Sequence, residues 1–530
     1  MKRYLFILPL WFVVWSAQAV GLPSDLVLQV HFAGAQNIAR DPEAAAFTKI
    51  FNCAEAQALR TQTLDKLAIF PHDWLKARIT AGAGDGVAQL RPLLDDLVTC
   101  EWHLAVRDSG GRVPEFALAI RLPPASIPTW QANLATVLES WTKLPALAAA
   151  DGWQLTKHEP PVNVRLEQVR GWTIFSAYQN ESPLDQRILA ESTNNPWLSV
   201  EADADKLAQW WPEMKLADLP TVHLEVTGHQ GSLILSGRAL FANSAPTAQA
   251  AWTLPANSIH EPFVSFTAAR GFAPWLQQQT WFQPYAINPL PGQFFGWAIP
   301  QAPFQTFWAV PVGDVTTSLS QVFERLTPLI QAQDAARFFF MPLTLVQTNG
   351  ILSLHGIPPF VDPKIAGSVE PGGQFLVASL FPFAQRPQPL PTPLLDILNQ
   401  PGLVFYHWEM TSQRLPQMLQ MSQLALLMTR HKQLNPNSAA AKWVNRITPL
   451  LGPTATEMFS AGQRELTGRR SGSVGLTAGE LYALANWLEA NNFPGCDLRL
   501  PPLGDRLKRL RPGTPGALPV PAAPPAPAPH

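Results

Sequence analysis

The sequence predicts an α+β fold of repeated strand–helix and hairpin units, with mainly antiparallel sheets and helices packed on one face. Three observations predict it. β-rich runs pass directly into segments with helical spacing, pairs of β-rich runs flank short turn sequences, and both patterns occur in two similar halves. The chain of 530 residues is 47% hydrophobic and 15% charged, which is enough apolar material for sizeable cores.

The strand–helix pattern is clearest over residues 402–431. A β-rich run over 402–410 gives way at Thr411 and Ser412, which are suitable N-caps, to apolar residues at helical spacing. Three earlier units share this order, and their strands are predicted at Leu26–Phe32, 196–201 and 263–267. Repetition of one unit that buries a face against its neighbours indicates an architecture rather than a reaction.

Local signals predict the other elements of the first half. Asp41 as the N-cap, Pro42 at the first helical position and Glu43 in the first turn predict a helix that continues to Leu59. Apolar residues three and four apart predict another helix over 128–144. Hairpins are predicted where turn residues separate alternating runs, at 108–111, 170–171 and 229–231.

The second half repeats these signals. Asn349 and Gly350 predict a hairpin, because both residue types accept the positive φ of a type I′ turn. Thr477 and Glu480 form a capping-box pattern, which predicts the start of a helix.

The halves are separated by residues 242–259, which are rich in Ala, Pro, Asn, Ser and Thr. We therefore expect an N-terminal α+β domain over 20–245 and a C-terminal α+β domain over 260–500. A diverged duplication explains their similarity, and chance resemblance of short strand–helix segments is the alternative.

The N-terminus predicts export. Lys2 and Arg3 precede an apolar run, and residues 17–19 offer the small-x-small site that a signal peptidase requires. Residues 1–19 are therefore predicted to be a cleaved signal peptide; an uncleaved anchor is the alternative. No later run of 18 apolar residues occurs, so we expect no transmembrane span in the mature chain and a periplasmic or extracellular location. Residues 501–530 are basic and then rich in Pro and Ala, which predicts a disordered tail.

The charge balance argues against nucleic acid as a partner. Loss of the signal peptide removes two of 38 basic residues and none of 39 acidic ones, so the mature net charge is about −3. Such a chain has no basic footprint for nucleic acid.

The cysteines allow one disulfide. Cys53 and Cys100 are predicted to pair in an oxidising compartment, which would contribute about 3–4 kcal/mol and leave Cys496 over. The alternative is three buried thiols that behave as small hydrophobic groups. The absence of a CxxC motif excludes zinc ribbons and thioredoxin-like chemistry.

Motifs for chemistry are missing from the sequence. There is no G-x-S-x-G elbow, P-loop or G-x-G-x-x-G motif. The pairs His223/Glu225 and His407/Glu409 would each share a strand face, but a metal requires further ligands that the sequence does not bring together. We therefore predict no catalytic residue, no cofactor and no metal ligand.

Acidic residues are clustered at Asp95, Asp96 and Glu101. Two carboxylates brought to about 5–9 Å across a cleft could serve glycoside hydrolysis. The ordinary interpretation is a solvated helix end.

A ligand groove is predicted from Met418, Met421 and Met428 on one helix and from Trp408 on the preceding strand, because Met-rich apolar surfaces adapt to lipid or peptide ligands. A loosely packed core is the alternative interpretation of these residues.

Together these patterns indicate an exported bacterial envelope protein that binds or scaffolds without catalysis. Its expected partner is an apolar ligand such as an envelope lipid, an envelope polymer or another protein. Two alternatives remain. An envelope hydrolase would use dispersed carboxylate and His residues, and a protein–protein interaction module would present an open sheet edge or an apolar patch.

Overall fold

A computed structural model describes most of the chain between residues 25 and 495. The predicted signal peptide, the predicted tail and Cys496 lie outside the described residues. Within the span, the description omits residues 77–85, 109–113, 143–146, 150–151, 156–161, 185–188, 190–195, 210–217, 244, 247–249, 260–261, 280–281, 283–285, 301–304, 333–342, 357–361, 381–391 and 430–436.

The described part contains strands and helices in alternation along the chain. The strands are β1 (Leu26–Phe32), β2 (Trp102–Arg107), β3 (Glu115–Ile120), β4 (Leu147–Ala149), β5 (Gly152–Leu155), β6 (Val162–Val169), β7 (Trp172–Tyr178), β8 (Leu198–Asp203), β9 (Thr221–His229), β10 (Ser232–Leu240), β11 (Ser265–Arg270), β12 (Gln293–Ala298), β13 (Thr306–Val312), β14 (Thr344–Thr348), β15 (Ile351–His355), β16 (Lys364–Glu370), β17 (Gly373–Ser379), β18 (Leu403–Met410), β19 (Pro453–Ser460) and β20 (Glu465–Gly472). The helices are α1 (Ala35–Ile38), α2 (Ala45–Phe51), α3 (Ala54–Lys76), α4 (Gly86–Thr99), α5 (Ile127–Thr142), α6 (Ala204–Gln209), α7 (Ala273–Gln278), α8 (Val315–Ala332), α9 (Thr392–Leu398), α10 (Thr411–Thr429), α11 (Ala439–Ile447) and α12 (Ala478–Glu489).

All 20 strands belong to one sheet. Their hydrogen-bonded pairs are antiparallel and give the order β4-β5-β6-β7-β3-β2-β1-β8-β9-β10-β20-β19-β18-β11-β12-β13-β17-β16-β15-β14. The prediction of a mixed α and β fold with antiparallel pairing is confirmed.

Helices cover both faces of this sheet, so the expectation of helices on one face is wrong. Phe375 and Leu376 are neighbours on β17, and neighbours on a strand point to opposite faces. Phe375 packs in a cluster with Leu394 and Leu398 of α9, whereas Leu376 packs with Leu319 of α8. Both faces of the sheet are apolar at this strand. An alternating sequence pattern predicts only one buried face, so it did not indicate helices on both sides.

The four predicted strand–helix units correspond to β1, β8, β11 and β18, each of which leads to a helix. β8 and β18 pass into α6 and α10 without an intervening residue. β1 and β11 are followed by Gly34 and Gly271, with φ of 85° and 78°. At Gly34 a Cβ atom would lie 2.5 Å from the Cys100 carbonyl carbon, so this turn requires glycine.

Predicted turns and caps are present where local chemistry specifies them. Asn349 and Gly350 join β14 to β15 with φ of 51° and 74°. The Thr477 side chain accepts a hydrogen bond from the Glu480 N–H, and the Glu480 side chain accepts one from the Thr477 N–H. The helix predicted from Asp41 is divided: α2 ends at Phe51, and α3 begins at Ala54.

Candidate functional site

One feature of interest is an open apolar cavity in the second half, which we call the C-terminal pocket. It has a volume of about 560 Å³ and lies between α7, α8 and strands β11–β13, β16 and β17. Apolar side chains dominate its wall, including Phe272, Leu276, Phe294, Trp308 and Val322. A volume of this size is in the range of small-molecule sites, about 300–1,000 Å³.

Strand alternation builds the wall of the C-terminal pocket. On β12, Phe295 is fully buried in the core, and the preceding Phe294 faces the pocket with 38% of its surface exposed. On β13, Trp308 is 37% exposed and stands between the buried Phe307 and Ala309. Exposed aromatic residues on a strand whose other face is core indicate a surface available for a ligand.

Arg270 borders this pocket at the end of β11, but its guanidinium lies on the opposite face of the sheet. Its side chain is buried, with Nε donating to the Leu403 carbonyl at 2.7 Å and Nη1 donating to the Ala250 carbonyl at 2.6 Å. The guanidinium carbon lies 4.4 Å from the centre of the Trp252 ring, which packs on the core residue Phe295. Burial lowers the pKa of Arg270. The wall of the pocket is therefore apolar, and this cation belongs to the core face of the strand.

A second apolar cavity, the N-terminal pocket, has a volume of about 530 Å³. Phe32 of β1, Trp102 of β2 and Phe47 of α2 line it, together with Leu481 and Leu484 of α12. Neither pocket is lined by an Asp, Glu or His residue. The hydrolase alternative therefore finds no acid–base pair in these two cavities.

A buried group, which we call the His–Glu cluster, lies on the other face of β1 and β2. It consists of His31, Glu101 and His103, whose candidate ligand atoms all lie within 4.8 Å of one another. His31 Nε2 is 3.2 Å from Glu101 Oε1, and the His31 and His103 rings stack with centroids 4.3 Å apart. Arg121 Nε lies 3.2 Å from Glu101 Oε2.

Burial shapes the protonation of the His–Glu cluster. Burial, and then the charge of His31, lower the pKa of His103 to about 4. Burial acts to raise the pKa of Glu101, but the His31 hydrogen bond and the Arg121 charge outweigh it, so this pKa lies below its ordinary value. The cluster at neutral pH therefore contains a neutral His103 and an ionised Glu101.

A second buried polar group surrounds Glu409 at the end of β18. Glu409 Oε1 accepts from the Ala478 N–H at 2.6 Å and from the Thr411 hydroxyl at 3.0 Å. His407 Nε2 is 3.5 Å from Glu409 Oε2, and His407 Nδ1 contacts the Thr267 hydroxyl at 2.8 Å. These contacts join β18 to β11 and to α12.

Of the residues predicted for the ligand groove, Trp408 and Met418 line neither pocket. Trp408 packs against the core cluster beside Phe263, with ring centroids 6.2 Å apart. Met418 packs in the cluster that α10, α11 and α12 share. The side chains of Met421 and Met428 lie outside the described part of the structure.

The predicted disulfide partners are free thiols in this structure. Cys53 Sγ donates to the Ile50 carbonyl at 3.3 Å, whereas Cys100 packs in the cluster beneath α4 and α5. The structure does not join them.

The acidic residues of the predicted carboxylate group make separate contacts. Asp95 pairs with Arg91, and Asp96 accepts from the Trp130 indole at 2.9 Å. Glu101 instead faces His31.

Sequence reasoning missed the His–Glu cluster. Glu101 and His103 are two residues apart on one strand, the same spacing that indicated His223/Glu225 and His407/Glu409 as half-sites. The third member, His31, comes from a strand 70 positions earlier, and no local signal pairs those strands.

Comparison with known proteins gives no family for this chain: no family model, no curated protein and no solved structure matches it. None of the described helices is both long and apolar enough to cross a membrane.

Proposed function

We propose that this chain is an exported binding protein that takes up a ligand with an apolar chain in the C-terminal pocket. The observation that carries the proposal is the exposure of Phe294 and Trp308, 38% and 37%, on the wall of an apolar cavity. The chain of the ligand would bury against these two rings.

We further propose that the chain is a diverged internal duplication. The order in which β11–β20 pair repeats that of β1–β10, with each strand number raised by ten. His31 and Ala268 each lie three residues before a positive-φ glycine. Their partners on the eighth strand of each set, Ser199 and Tyr406, each lie five residues before the next helix.

The duplication relates the two pockets. By the same register, Phe32 corresponds to Ala269, and Trp102 corresponds to Phe294. Both pairs line a pocket, so the first two strands of each set present a cavity on the same face. The smaller Ala269 distinguishes the C-terminal pocket as the proposed ligand site.

One observation supports the interaction-module alternative. Within the described ranges β14 pairs with β15 alone, and Val346 of β14 and Ile351 of β15 are 40% and 37% exposed. An edge strand with apolar side chains is a surface for strand addition.

Binding of dodecanoate and of dodecanol to the purified full chain tests the proposal, because the two ligands share an apolar tail and differ in charge. Both are expected to bind, since the pocket contacts the tail. Arg270→Met, which changes the opposite face of β11, should leave the preference between the two ligands unchanged.

A second variant tests the location of the binding site. Ala378→Trp places an indole in the C-terminal pocket and is expected to abolish binding of both ligands. Val369→Trp adds the same indole at a position that is 78% exposed and outside the lining, and it should leave binding unchanged. Equal binding by the wild type and Ala378→Trp would overturn the proposal.

A further inference from the structure

We infer that the His–Glu cluster is a binding site for a divalent transition-metal ion, with Zn²⁺ as the occupant, held by His31, Glu101 and His103. Two imidazoles and one carboxylate form a donor set that zinc uses in proteins, with a fourth position left for water. All three side chains are buried, with exposures of 5%, 8% and 5%, and their ligand atoms converge within 4.8 Å.

His103 is the observation that points beyond a structural polar cluster. It makes no hydrogen bond within the described residues, and its Nδ1 is buried without a partner. Buried polar atoms in folded proteins almost always have a hydrogen-bond partner, so an unpartnered imidazole nitrogen beside a carboxylate calls for a ligand. Coordination of a metal ion by the His103 ring would supply it.

The carboxylate is already oriented for this role. Glu101 Oε2 is held by Arg121 at 3.2 Å, while Oε1 faces His31 Nε2 at 3.2 Å. When the metal ion binds, Glu101 Oε1 and His31 would coordinate it and no longer contact each other. Arg121 would keep the carboxylate in place as an outer-sphere partner. Zinc–ligand distances near 2.1 Å require ligand atoms roughly 3.4 Å apart, so closure needs movement of about 1 Å.

The second half of the chain shows that the architecture does not require these residues. By the proposed duplication, on which this comparison rests, His31, Glu101 and His103 correspond to Ala268, Gln293 and Phe295. Those three are equally buried, at 0%, 7% and 0%. The same position in the sheet is therefore filled without an imidazole or a carboxylate, and the His–Glu cluster is a special feature of the first half.

Arg121 connects the cluster to the surface. Its side chain is 45% exposed, and its guanidinium carbon lies 4.6 Å from the Trp172 ring centre. Its contact with Glu101 therefore links the buried cluster to a side chain that reaches solvent.

Calorimetric titration of the full chain, stripped with chelator, with Zn²⁺ and separately with Co²⁺ tests the inference. We expect one ion bound per chain and visible Co²⁺ absorption typical of nitrogen and oxygen ligands. Glu101→Gln and His103→Phe should each weaken binding by more than the roughly 10- to 100-fold that loss of an outer-sphere partner costs. Arg121→Met should weaken Zn²⁺ binding by about 10- to 100-fold, because it removes an outer-sphere partner.

The matched control is His223→Ala, which removes a histidine of the same sheet whose Nε2 lies 3.3 Å from Glu225 Oε1. It should bind Zn²⁺ as the wild type does. Far-UV circular dichroism identifies a variant that has lost its fold, and His103→Phe introduces the residue that the second half carries at this position. Absence of Zn²⁺ binding by the wild type, or binding that survives both Glu101→Gln and His103→Phe, would overturn the inference.

Discussion

Replacement of Glu409 tests whether a buried carboxylate joins β18 to α12. Glu409 is 3% exposed, and its Oε1 accepts from the Ala478 N–H and the Thr411 hydroxyl at 2.6 and 3.0 Å. Glu409→Gln keeps the shape but turns two charge-assisted hydrogen bonds into neutral ones, which lowers the free energy of unfolding by about 2–4 kcal/mol. Glu409→Ala should cost about 3–5 kcal/mol, because it also leaves the buried Arg414 without its counter-charge.

The pH dependence of this loss has a definite sign. Burial acts to raise the pKa of Glu409, but His407 and the hydrogen bonds from Ala478 and Thr411 outweigh it, so the folded pKa lies below the ordinary value. A depressed folded pKa contributes stability that is present above the unfolded pKa, near 4.3, and is lost as pH falls through the folded pKa. The difference between wild type and Glu409→Gln should therefore shrink between pH 6 and pH 3.

Urea unfolding followed by circular dichroism at several pH values measures this difference. Glu457→Gln is the matched control, because Glu457 is a partly exposed residue on the adjacent β19. We expect that control to change the unfolding free energy by less than about 0.5 kcal/mol. The reasoning is refuted if Glu409→Gln matches the control at neutral pH, or if its deficit is the same at pH 6 and pH 3.

Two further substitutions test the local structure, and both are measured by the same urea unfolding. Gly34→Ala should destabilise by at least about 2 kcal/mol, because φ is 85° and the new Cβ would lie 2.5 Å from the Cys100 carbonyl carbon. Gly231→Ala, with φ of 74° and no atom within 4 Å, should cost only about 1 kcal/mol, so equal losses would count against the predicted clash. Thr477→Ala should cost about 1 kcal/mol through loss of the capping contact to the Glu480 N–H, and an unchanged midpoint would show that α12 does not depend on its cap.

Local elements were predictable where a few neighbouring residues specify the backbone. Asn349 and Gly350 specify their turn because their residue types accept positive φ, and the structure has it. Thr477 and Glu480 specify a helix start through two reciprocal hydrogen bonds. In each case the residues that determine the structure lie within four positions of one another.

Strand partners were not predictable, because paired strands can lie far apart in the sequence and no local pattern indicates which strands pair. The two sets of ten strands meet through β10 and β20, where Ser236 pairs with Arg469. His31 and His103 meet in the same way, across β1 and β2. Spacing on one strand shows which residues share a face, but it does not show which other strand completes a site.

The location of the proposed ligand site also depended on tertiary packing. The amphipathic spacing of α10 indicated an apolar surface, but Met418 uses it to pack within the described core around α11 and α12. The C-terminal pocket instead arises where Phe294 and Trp308 face outward from strands whose other face is buried. An alternating strand shows two faces, and the sequence does not show which apolar face is left uncovered.

The most direct test of the central claim is native mass spectrometry of the full chain after incubation with equal amounts of dodecanoate and dodecanol. The account predicts an adduct with either ligand on the wild type and on Val369→Trp, and its loss from Ala378→Trp. An adduct that persists in Ala378→Trp, or a wild type that takes up neither ligand, would contradict binding of an apolar chain in the C-terminal pocket.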